Sequence, residues 1–422
     1  SRNTDTGAIT ETGCFATFIN GTTCQQATAI PQATATTVSP DGKSVYVTSR
    51  RTGAIATFAR DEVTGGLTYS GCIANNATET PTCTLESRLS NPTAIVISPD
   101  GKNAYVSSAK DTNSVHWFSR DPSTGLLTFL GCFRDRAPAG SGCSNANGLA
   151  DASDVAIAPD GKFVYVTAID SAGVVTFARD ANNGSLRQVD CITQGGSDVC
   201  RAGIELAYAG SISLSSDGSQ AYVSAAAANS VSLYKRDGAT GKLNFVDCVT
   251  DNVNDDYSSC TPVFGLYGAK NVVASPDGAN AYVASDTGSS IAALGLGAAV
   301  SPRPAIVDKR GGIKLKVSCA AAARSRCVGS LRLNQVSSKR IVGRQTINVA
   351  GKVLSSSARF SLAAGQSRTV KVGLTVTGKR LANRRSARRY GFGTFATLDT
   401  NRGEFSPQLE FLSITHSKSK RK

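Results

Sequence analysis

The chain has 422 residues, of which 41% are hydrophobic and 18% charged, and 45 Lys and Arg against 31 Asp and Glu give it a net charge of +14. This composition supplies enough apolar side chains for ordinary cores, which excludes a chain that is disordered throughout. No run of 18 apolar residues is present, which excludes a transmembrane helix. The length predicts two or three domains.

A turn of the type Ser-Pro-Asp-Gly recurs five times in the first 300 residues, with 57 to 60 residues between its aspartates. Each turn lies between two short apolar or β-branched runs, such as Ala94–Ile97 and Ala104–Ser107, which is the pattern of a β-hairpin. Two further runs complete each repeat. We therefore predict four antiparallel strands per repeat, which is the make-up of one propeller blade. The turn aspartates are Asp41, Asp100, Asp160, Asp217 and Asp277.

The two ends of the repeat region predict how the ring closes. The first residues match the end of a third strand and a fourth strand that ends in Cys14, whereas the last repeat supplies only three strands. Adding the N-terminal strand to the last blade leaves no unpaired sheet edge. We therefore predict a five-bladed β-propeller over residues 1–299. The alternative is a seven-bladed propeller in which residues 300–422 form two more blades.

The charge balance changes abruptly after the last repeat. Residues 1–300 carry 19 Lys and Arg against 27 Asp and Glu, a net charge of −8, whereas residues 301–422 carry 26 against 4, a net charge of +22. Such a break indicates a domain boundary. We predict a linker over 300–311, a strongly basic immunoglobulin-like β-sandwich over 312–416, where apolar and polar residues alternate in short runs, and a basic tail over 417–422.

The 12 cysteines fall into six pairs of near neighbours, and each of the first five pairs lies where one blade passes to the next. Cysteines in such a pattern predict disulfides and an oxidising compartment. Closing a loop of about ten residues removes about 2.5–3 kcal/mol of unfolded-state entropy in the chain model. The predicted pairs are Cys14/Cys24, Cys72/Cys83, Cys132/Cys143, Cys191/Cys200, Cys248/Cys260 and Cys319/Cys327.

The start of the chain and residues 301–422, which we call the basic region, bear on location and partners. The sequence begins at Ser1 and shows no signal peptide, so we expect a mature form, secreted or at the cell surface, whose export sequence has been removed. A net charge of +22 attracts polyanions. The expected partners are an anionic cell-surface polymer or other copies of the chain. Specific nucleic-acid binding is not expected, because the basic residues lack the aromatic interleaving it uses.

The strands Tyr46-Val47-Thr48 and Tyr165-Val166-Thr167, which follow Ser-Pro-Asp-Gly and Ala-Pro-Asp-Gly, resemble the YVTN and lactonase-like β-propeller family over about 70% of the chain. The family ranges from lactone hydrolases to surface-layer proteins without known chemistry, so the resemblance implies a blade and not an activity. Lactonase-type propellers have seven blades and a channel lined with His, Arg and acidic groups. This sequence has five repeats and His116 as its only propeller histidine, so the resemblance transfers no catalytic residue.

The basic region carries a resemblance of its own. Cys319 and Cys327 flank a loop rich in Ala and Arg, and this arrangement resembles modules appended to secreted actinobacterial proteins. The resemblance implies an immunoglobulin-like module.

Candidate ligand-binding residues lie at the start of the inner strands and in the loops between second and third strands, which open on the same face of a propeller. The inner-strand position holds Asp154 in the third repeat and Asn271 in the fifth, where the other repeats carry Ala35, Ala94 and Ser211, and Arg50 and Asp170 belong to the loops. We predict these four as ligand-binding residues. His116 lies in a third strand, where we expect a surface or interblade position.

An acidic cluster in one disulfide loop predicts a metal site. Asp251, Asp255 and Asp256 offer carboxylates of the kind that Ca²⁺ takes, although their spacing matches no EF-hand loop. No cofactor other than calcium is expected, because His116 and His416 with paired thiols leave too few ligands for zinc.

The sequence shows no nucleophile elbow, Walker loop or dinucleotide fingerprint in the required setting. The turn aspartates and the Arg-Asp dipeptides recur in nearly every blade, so we expect them to serve blade geometry. We therefore predict a secreted, non-catalytic surface or binding protein that assembles head to tail into filaments through its acidic propeller and its basic domain. The alternatives are a lactonase-like hydrolase acting at the channel mouth and a carbohydrate-binding, lectin-like propeller.

Overall fold

A computed structural model describes most of the propeller repeats and the strands that follow them. The residues it describes fall into two units. Unit 1 comprises Ser1–Cys260, Phe264–Ala274 and Tyr282–Ala292, and unit 2 comprises Thr261–Val263, Ser275–Ala281 and Ala293–Lys422. The described residues are 10–11, 13–17, 23–76, 78, 80–251, 260–276, 280–295, 298–300, 305–307, 312–319, 327–342, 345–353, 355–362, 366–377, 379, 392–400 and 408–416.

Five successive sheets confirm the five predicted blades. In four of them, four antiparallel strands are followed by a short fifth strand beside the fourth. In blades one, two and three this fifth strand is parallel to the fourth. Blade one holds β3 (Ala33–Val38), β4 (Ser44–Ser49), β5 (Ala54–Arg60), β6 (Leu67–Ala74) and β7 (Thr84–Leu85), and blade two holds β8 (Pro92–Ile97), β9 (Asn103–Ser108), β10 (Ser114–Arg120), β11 (Leu127–Asp135) and β12 (Ser144–Ala146).

The next three sheets continue the series. Blade three holds β13 (Ala152–Ile157), β14 (Phe163–Ala168), β15 (Gly173–Arg179), β16 (Leu186–Gln194) and β17 (Arg201–Gly203). Blade four holds β18 (Ala209–Leu214), β19 (Gln220–Ala225), β20 (Ser230–Arg236), β21 (Leu243–Thr250) and β22 (Thr261–Pro262). Blade five holds β23 (Ala269–Ala274), β24 (Asn280–Ser285) and β25 (Ser290–Gly295).

The fifth strand of a blade is a feature that the sequence does not predict. In blade one it begins directly after the disulfide loop, where Ile73 pairs with Thr84. The bridge holds the two cysteine Cα atoms 4.7 Å apart, which is the spacing of neighbouring strands in a sheet. The residues after the bridge therefore enter the ladder in register.

The N-terminal segment repeats this arrangement. Here β1 (Phe15–Ala16) pairs in parallel with β2 (Gln25–Gln26) directly after the Cys14–Cys24 bridge. The Phe15 ring lies 4.9 Å from the ring of Phe58 in blade one. The predicted pairing of the N-terminal strand with blade five depends on residues 1–9, which lie outside the described residues.

The cores lie between the blades. One cluster joins Tyr105 and Trp117 of blade two to Val155, Val166 and Phe177 of blade three. Because neighbouring blades cover both faces of a sheet, the second strands of blades two, three and four are buried at every position. This explains their apolar and small-residue sequences, with hydroxyl residues where a backbone partner is near.

The described strands from Ala298 onward form one connected sheet in the order β26-β28-β27-β34-β33-β29-β30, with β31 beside β29 and β32 beside β28. This order is not that of two four-stranded blades, so the seven-bladed alternative is wrong. The immunoglobulin-like sandwich and the domain boundaries stay predictions, and the tail over 417–422 lies outside the described residues. The strands are β26 (Ala298–Val300), β27 (Ala305–Val307), β28 (Gly312–Cys319), β29 (Cys327–Val342), β30 (Gln345–Val353), β31 (Ala358–Leu362), β32 (Ser367–Gly373), β33 (Phe392–Thr400) and β34 (Gln408–His416).

Candidate functional site

The recurring charged residues join each blade to the next through an arrangement that we call the interblade clamp. It consists of the turn aspartate and the second-strand tyrosine of one blade, with the third-strand arginine of the following blade. Between blades one and two, Arg120 donates from Nε to the Tyr46 hydroxyl at 2.8 Å and contacts Asp41 Oδ2 at 2.9 Å. The three clamps are Asp41–Tyr46–Arg120, Asp100–Tyr105–Arg179 and Asp160–Tyr165–Arg236.

The clamp arginines are buried, which strengthens their polar contacts with the neighbouring blade. Their side chains are 1%, 2% and 5% exposed, and each also donates to a glycine carbonyl of its own blade's turn. Burial raises the pKa of Asp41, but hydrogen bonds from Ser39 and Arg120 outweigh this and hold the pKa at about 2. Burial raises the pKa of Tyr105 and Tyr165 to about 12. All three partners therefore keep fixed protonation states at neutral pH, which suits a structural contact.

Hydroxyl side chains connect the inner strands of successive blades. Thr34 donates to the Pro92 carbonyl at 2.9 Å, and Thr93 donates to the Ala152 carbonyl at 3.0 Å. Ser153 continues the series toward blade four, where its hydroxyl donates to the Gly210 carbonyl at 2.8 Å. These bonds satisfy inner-edge carbonyls that have no strand beside them.

Asp154, a predicted ligand-binding residue, takes part in the same blade-to-blade contacts. Its Oδ2 accepts hydrogen bonds from the Ser211 hydroxyl at 2.8 Å and from the Ile212 amide at 3.0 Å, and its Oδ1 accepts from the Val155 amide at 2.8 Å. Burial raises the pKa of this carboxyl, and the three hydrogen bonds oppose the increase. The carboxylate thus holds blade four against blade three.

The other three predicted ligand residues lie apart, on different blades. Asn271 is exposed in β23 of blade five, Arg50 is exposed after β4 of blade one, and Asp170 is exposed after β14 of blade three. The Asp170 amide donates to the Ala150 carbonyl at 3.1 Å. Their side chains are therefore available to a ligand, whereas that of Asp154 is used by the protein.

The predicted calcium cluster is only partly described. Asp251 Oδ2 accepts hydrogen bonds from the amides of Gly265 and Leu266 at 3.0 and 3.1 Å. Asp135 holds the corresponding loop between blades two and three in the same way. Asp251 therefore has a recurring loop-holding role, while Asp255 and Asp256 lie outside the described residues, and calcium binding stays a prediction.

His116 is buried, so of the two positions expected from the sequence, surface or interblade, the surface position is wrong. Its Nε2 donates to the Arg88 carbonyl at 3.0 Å, and burial lowers the pKa of the imidazole to about 4. A potential ligand atom of His116 lies within 4.8 Å of the sulfurs of Cys132 and Cys143. These sulfurs form a disulfide and are not thiolates, so the group does not have the donor set of a zinc site.

Five of the six predicted disulfides are confirmed, and the side chains of Cys319 and Cys327 lie outside the described part of the chain. Five bridges fit an extracellular or periplasmic protein, because such compartments preserve disulfides. Among the residues that the structure describes, no helix has the length and apolar character to cross a bilayer. The confirmed bridges are Cys14–Cys24, Cys72–Cys83, Cys132–Cys143, Cys191–Cys200 and Cys248–Cys260.

Sequence reasoning missed two sets of tyrosines. The clamp tyrosines follow their turn aspartate by five residues, as Tyr46 follows Asp41, and this fixed spacing is a signal that could have assigned them. The second set comprises Tyr208 and Tyr267, which lie just before inner strands and are more than half exposed. Their signal is an aromatic residue in a loop where the other blades carry none.

Residues 2–143 match the model of a family described as "Lactonase, 7-bladed beta-propeller". No curated protein matches the chain significantly. Among solved structures, a 6-phosphogluconolactonase candidate from Bacteroides uniformis is 22% identical with a TM-score of 0.39, over 53% of this chain and 58% of that one. The chain thus spans less than two thirds of that relative.

Two other solved structures are similar over a larger share of both chains. A periplasmic gluconolactonase of Pseudomonas aeruginosa is 17% identical with a TM-score of 0.37, over 80% of this chain and 88% of that one. A protein of unknown function from Desulfotomaculum acetoxidans is 15% identical with a TM-score of 0.42, over 80% and 89%. These similarities are too distant to transfer a function. The family match confirms the resemblance of the N-terminal repeats to lactonase-like β-propellers.

Proposed function

We propose that the protein is a secreted, non-catalytic binding and assembly protein, in which the propeller is the scaffold and the basic region over 301–422 binds anionic partners. The observation that carries this proposal is the interblade clamp. It uses the charged side chains that recur in the blades as contacts between neighbouring blades. A chain that uses its repeated ionisable groups in this way gains rigidity rather than chemistry.

The charge distribution supports the binding part of the proposal. The first 300 residues have a net charge of −8 and the remaining 122 have +22. Opposite charges on one chain favour head-to-tail association, which propagates as a filament when the contact does not close into a ring. The same basic region attracts an anionic polymer of the cell surface by counterion release, as basic proteins bind polyanions.

A salt series with a charge-reversal variant tests this proposal. The variant carries Arg359→Glu, Arg368→Glu and Lys379→Glu, three exposed positions of the basic region. Light scattering measures self-association, and titration with a polyuronate chain measures polyanion binding. We expect both to weaken by about tenfold in the variant and to weaken as salt rises, since exposed charges are screened.

The matched control places the same charge change on the propeller, as Lys43→Glu, Lys102→Glu and Lys162→Glu, which are exposed positions. This control keeps the basic region intact and is expected to bind the polyuronate nearly as the parent does. A monomer at every salt and protein concentration that also ignores the polyuronate would refute the proposal. Equal loss of polyuronate binding in both variants would show that the total charge of the chain, and not the basic region, is responsible for binding.

A lactone hydrolase is the second candidate, favoured by the family match over residues 2–143. Its candidate residues are Asp154 and Asn271, at equivalent places on inner strands. A hydrolase that uses this face would lose turnover of a sugar lactone in Asp154→Ala and in Asn271→Ala, with each variant still folded. Lactone turnover by the parent chain is expected only if the protein is a hydrolase, so measuring it discriminates between the two candidates.

A further inference from the structure

Two tyrosines are exposed where blades four and five begin. Tyr208 precedes β18 and Tyr267 precedes β23, and 56% and 53% of their surfaces are exposed. Tyr208 lies two residues after the fully buried Leu206, and Tyr267 directly follows the fully buried Leu266. Each tyrosine carbonyl accepts a hydrogen bond from the amide of its own blade's hairpin, at 3.1 and 2.8 Å. The chain thus holds the backbone of both tyrosines in place and leaves both side chains to the solvent.

The backbone of Tyr208 is in the left-handed region, with φ of +60°. A bulky residue is uncommon there, and such conformations cost free energy unless the surroundings impose them. The other blades place glutamine, asparagine, aspartate and glycine at this position, all with positive φ: Gln32, Asn91, Asp151 and Gly268. A tyrosine at this position is therefore a costly choice for the fold, and strained residues are typical of functional sites.

Blade five departs from the repeat at a neighbouring position. Lys270 lies where the other blades carry a hydroxyl residue or glycine, and its side chain is 64% exposed. Its ammonium group is 3.5 Å from Asp286 Oδ2. A Cβ on Gly210 would lie 3.1 Å from the Lys270 carbonyl, so the backbone just after Tyr208 adjoins that of Lys270. Exposed Asn271 follows directly.

We propose that Tyr208, Tyr267, Lys270, Asn271 and Asp286 form a binding site for neutral carbohydrate. Tyrosine supplies an apolar ring with a polar tip, which suits the C–H face and the hydroxyl groups of a sugar ring. The ammonium, amide and carboxylate groups supply donors and acceptors for sugar hydroxyls. Lys270 and Asp286 have no net charge together, so the site has no excess charge that would favour a sugar acid. This ligand class differs from the polyanion proposed for the basic region.

The experiment uses a Tyr208→Gly variant, since glycine accepts the left-handed backbone that tyrosine strains. The probes are neutral hexasaccharides of glucose, mannose and N-acetylglucosamine, titrated by calorimetry into the full-length protein. For the hexasaccharide that binds, we expect affinity to fall about tenfold or more in Tyr208→Gly and in Lys270→Ala. The melting temperature of Tyr208→Gly is expected to stay equal to that of the parent or to rise.

The matched control is Gln32→Gly, an exposed residue at the equivalent position of blade one with φ of +54°. It is expected to bind the hexasaccharide like the parent. Hexasaccharide binding should also persist in high salt and in the Arg359→Glu, Arg368→Glu, Lys379→Glu variant. This result would distinguish binding at this site from binding by the basic region. The proposal is overturned if no hexasaccharide binds at about 10 mM, or if Tyr208→Gly binds as tightly as the parent.

Discussion

Replacing Arg179 by alanine removes the cation of the clamp between blades two and three. The Arg179 side chain is 2% exposed and donates to Asp100, Tyr105 and the Gly161 carbonyl. Breaking a buried ion pair costs about 3–5 kcal/mol, because the remaining partner is left uncompensated. Asp100 is 32% exposed, and water compensates part of the loss, so we expect the free energy of unfolding to fall by about 2–4 kcal/mol.

The assay is urea unfolding with the disulfides intact, followed by tryptophan fluorescence. Trp117 is the only tryptophan of the chain. Its ring lies 5.6 Å from that of Phe133, which lies 5.3 Å from Phe177 of blade three. The emission therefore reports on the interface that this clamp holds, independently of unit 2.

Arg136→Ala is the matched control, since its side chain is 95% exposed and its nitrogen is 3.9 Å from Asp135. We expect a change below about 0.5 kcal/mol, as for most surface substitutions. Arg179→Lys keeps the charge but loses the planar fork, and should fall between the two. Unfolding of Arg179→Ala and Arg136→Ala at the same urea concentration would refute a stabilising role for this clamp.

Three further predictions concern acid, disulfides and Asp154. Asp41 has its pKa lowered from 3.8 to about 2, so its stabilisation is present above pH 4 and is lost as pH falls toward 2; acid titration of Trp117 fluorescence should show Asp41→Asn losing less than the parent. The double variant Cys191→Ser, Cys200→Ser should lower the free energy of unfolding by about 2–3 kcal/mol in urea, and an unchanged midpoint would contradict this. Asp154→Ala leaves the Ile212 amide without its acceptor and should cost about 1–3 kcal/mol in thermal unfolding, whereas no shift would show that water replaces the carboxylate.

The blades, the disulfides and the structural use of the turn aspartates were predictable from the sequence, because each is written several times. A spacing of 57 to 60 residues fixes the repeat, and the bridges pair cysteines 9 to 12 residues apart. The fifth strand was missed because it is only two or three residues long, as in Thr84–Leu85. Its pairing depends on a bridge that brings two distant segments together, and no local pattern of apolar residues records this.

The candidate site was less predictable, because repeat alignment gives a position along a strand but not the surroundings of the side chain. Asp154 aligns with Asn271, yet Asp154 bonds to blade four, whereas Asn271 is exposed. The register shift beside Asp154 recurs at the same point in blades one, two and four, so the backbone alone does not give this position its role. Tyr208 was missed for a related reason, since its left-handed backbone and exposure depend on the folded loop.

The recurring charged residues join neighbouring blades, and we propose that the protein binds ligands rather than catalysing a reaction. The most direct test is the rate of sugar-lactone hydrolysis at neutral pH with and without the intact chain, over a panel of five- and six-membered lactones. We expect the protein to leave the spontaneous rate unchanged for every lactone. Hydrolysis that is accelerated in proportion to protein concentration, and that Asn271→Ala abolishes in a folded protein, would contradict it.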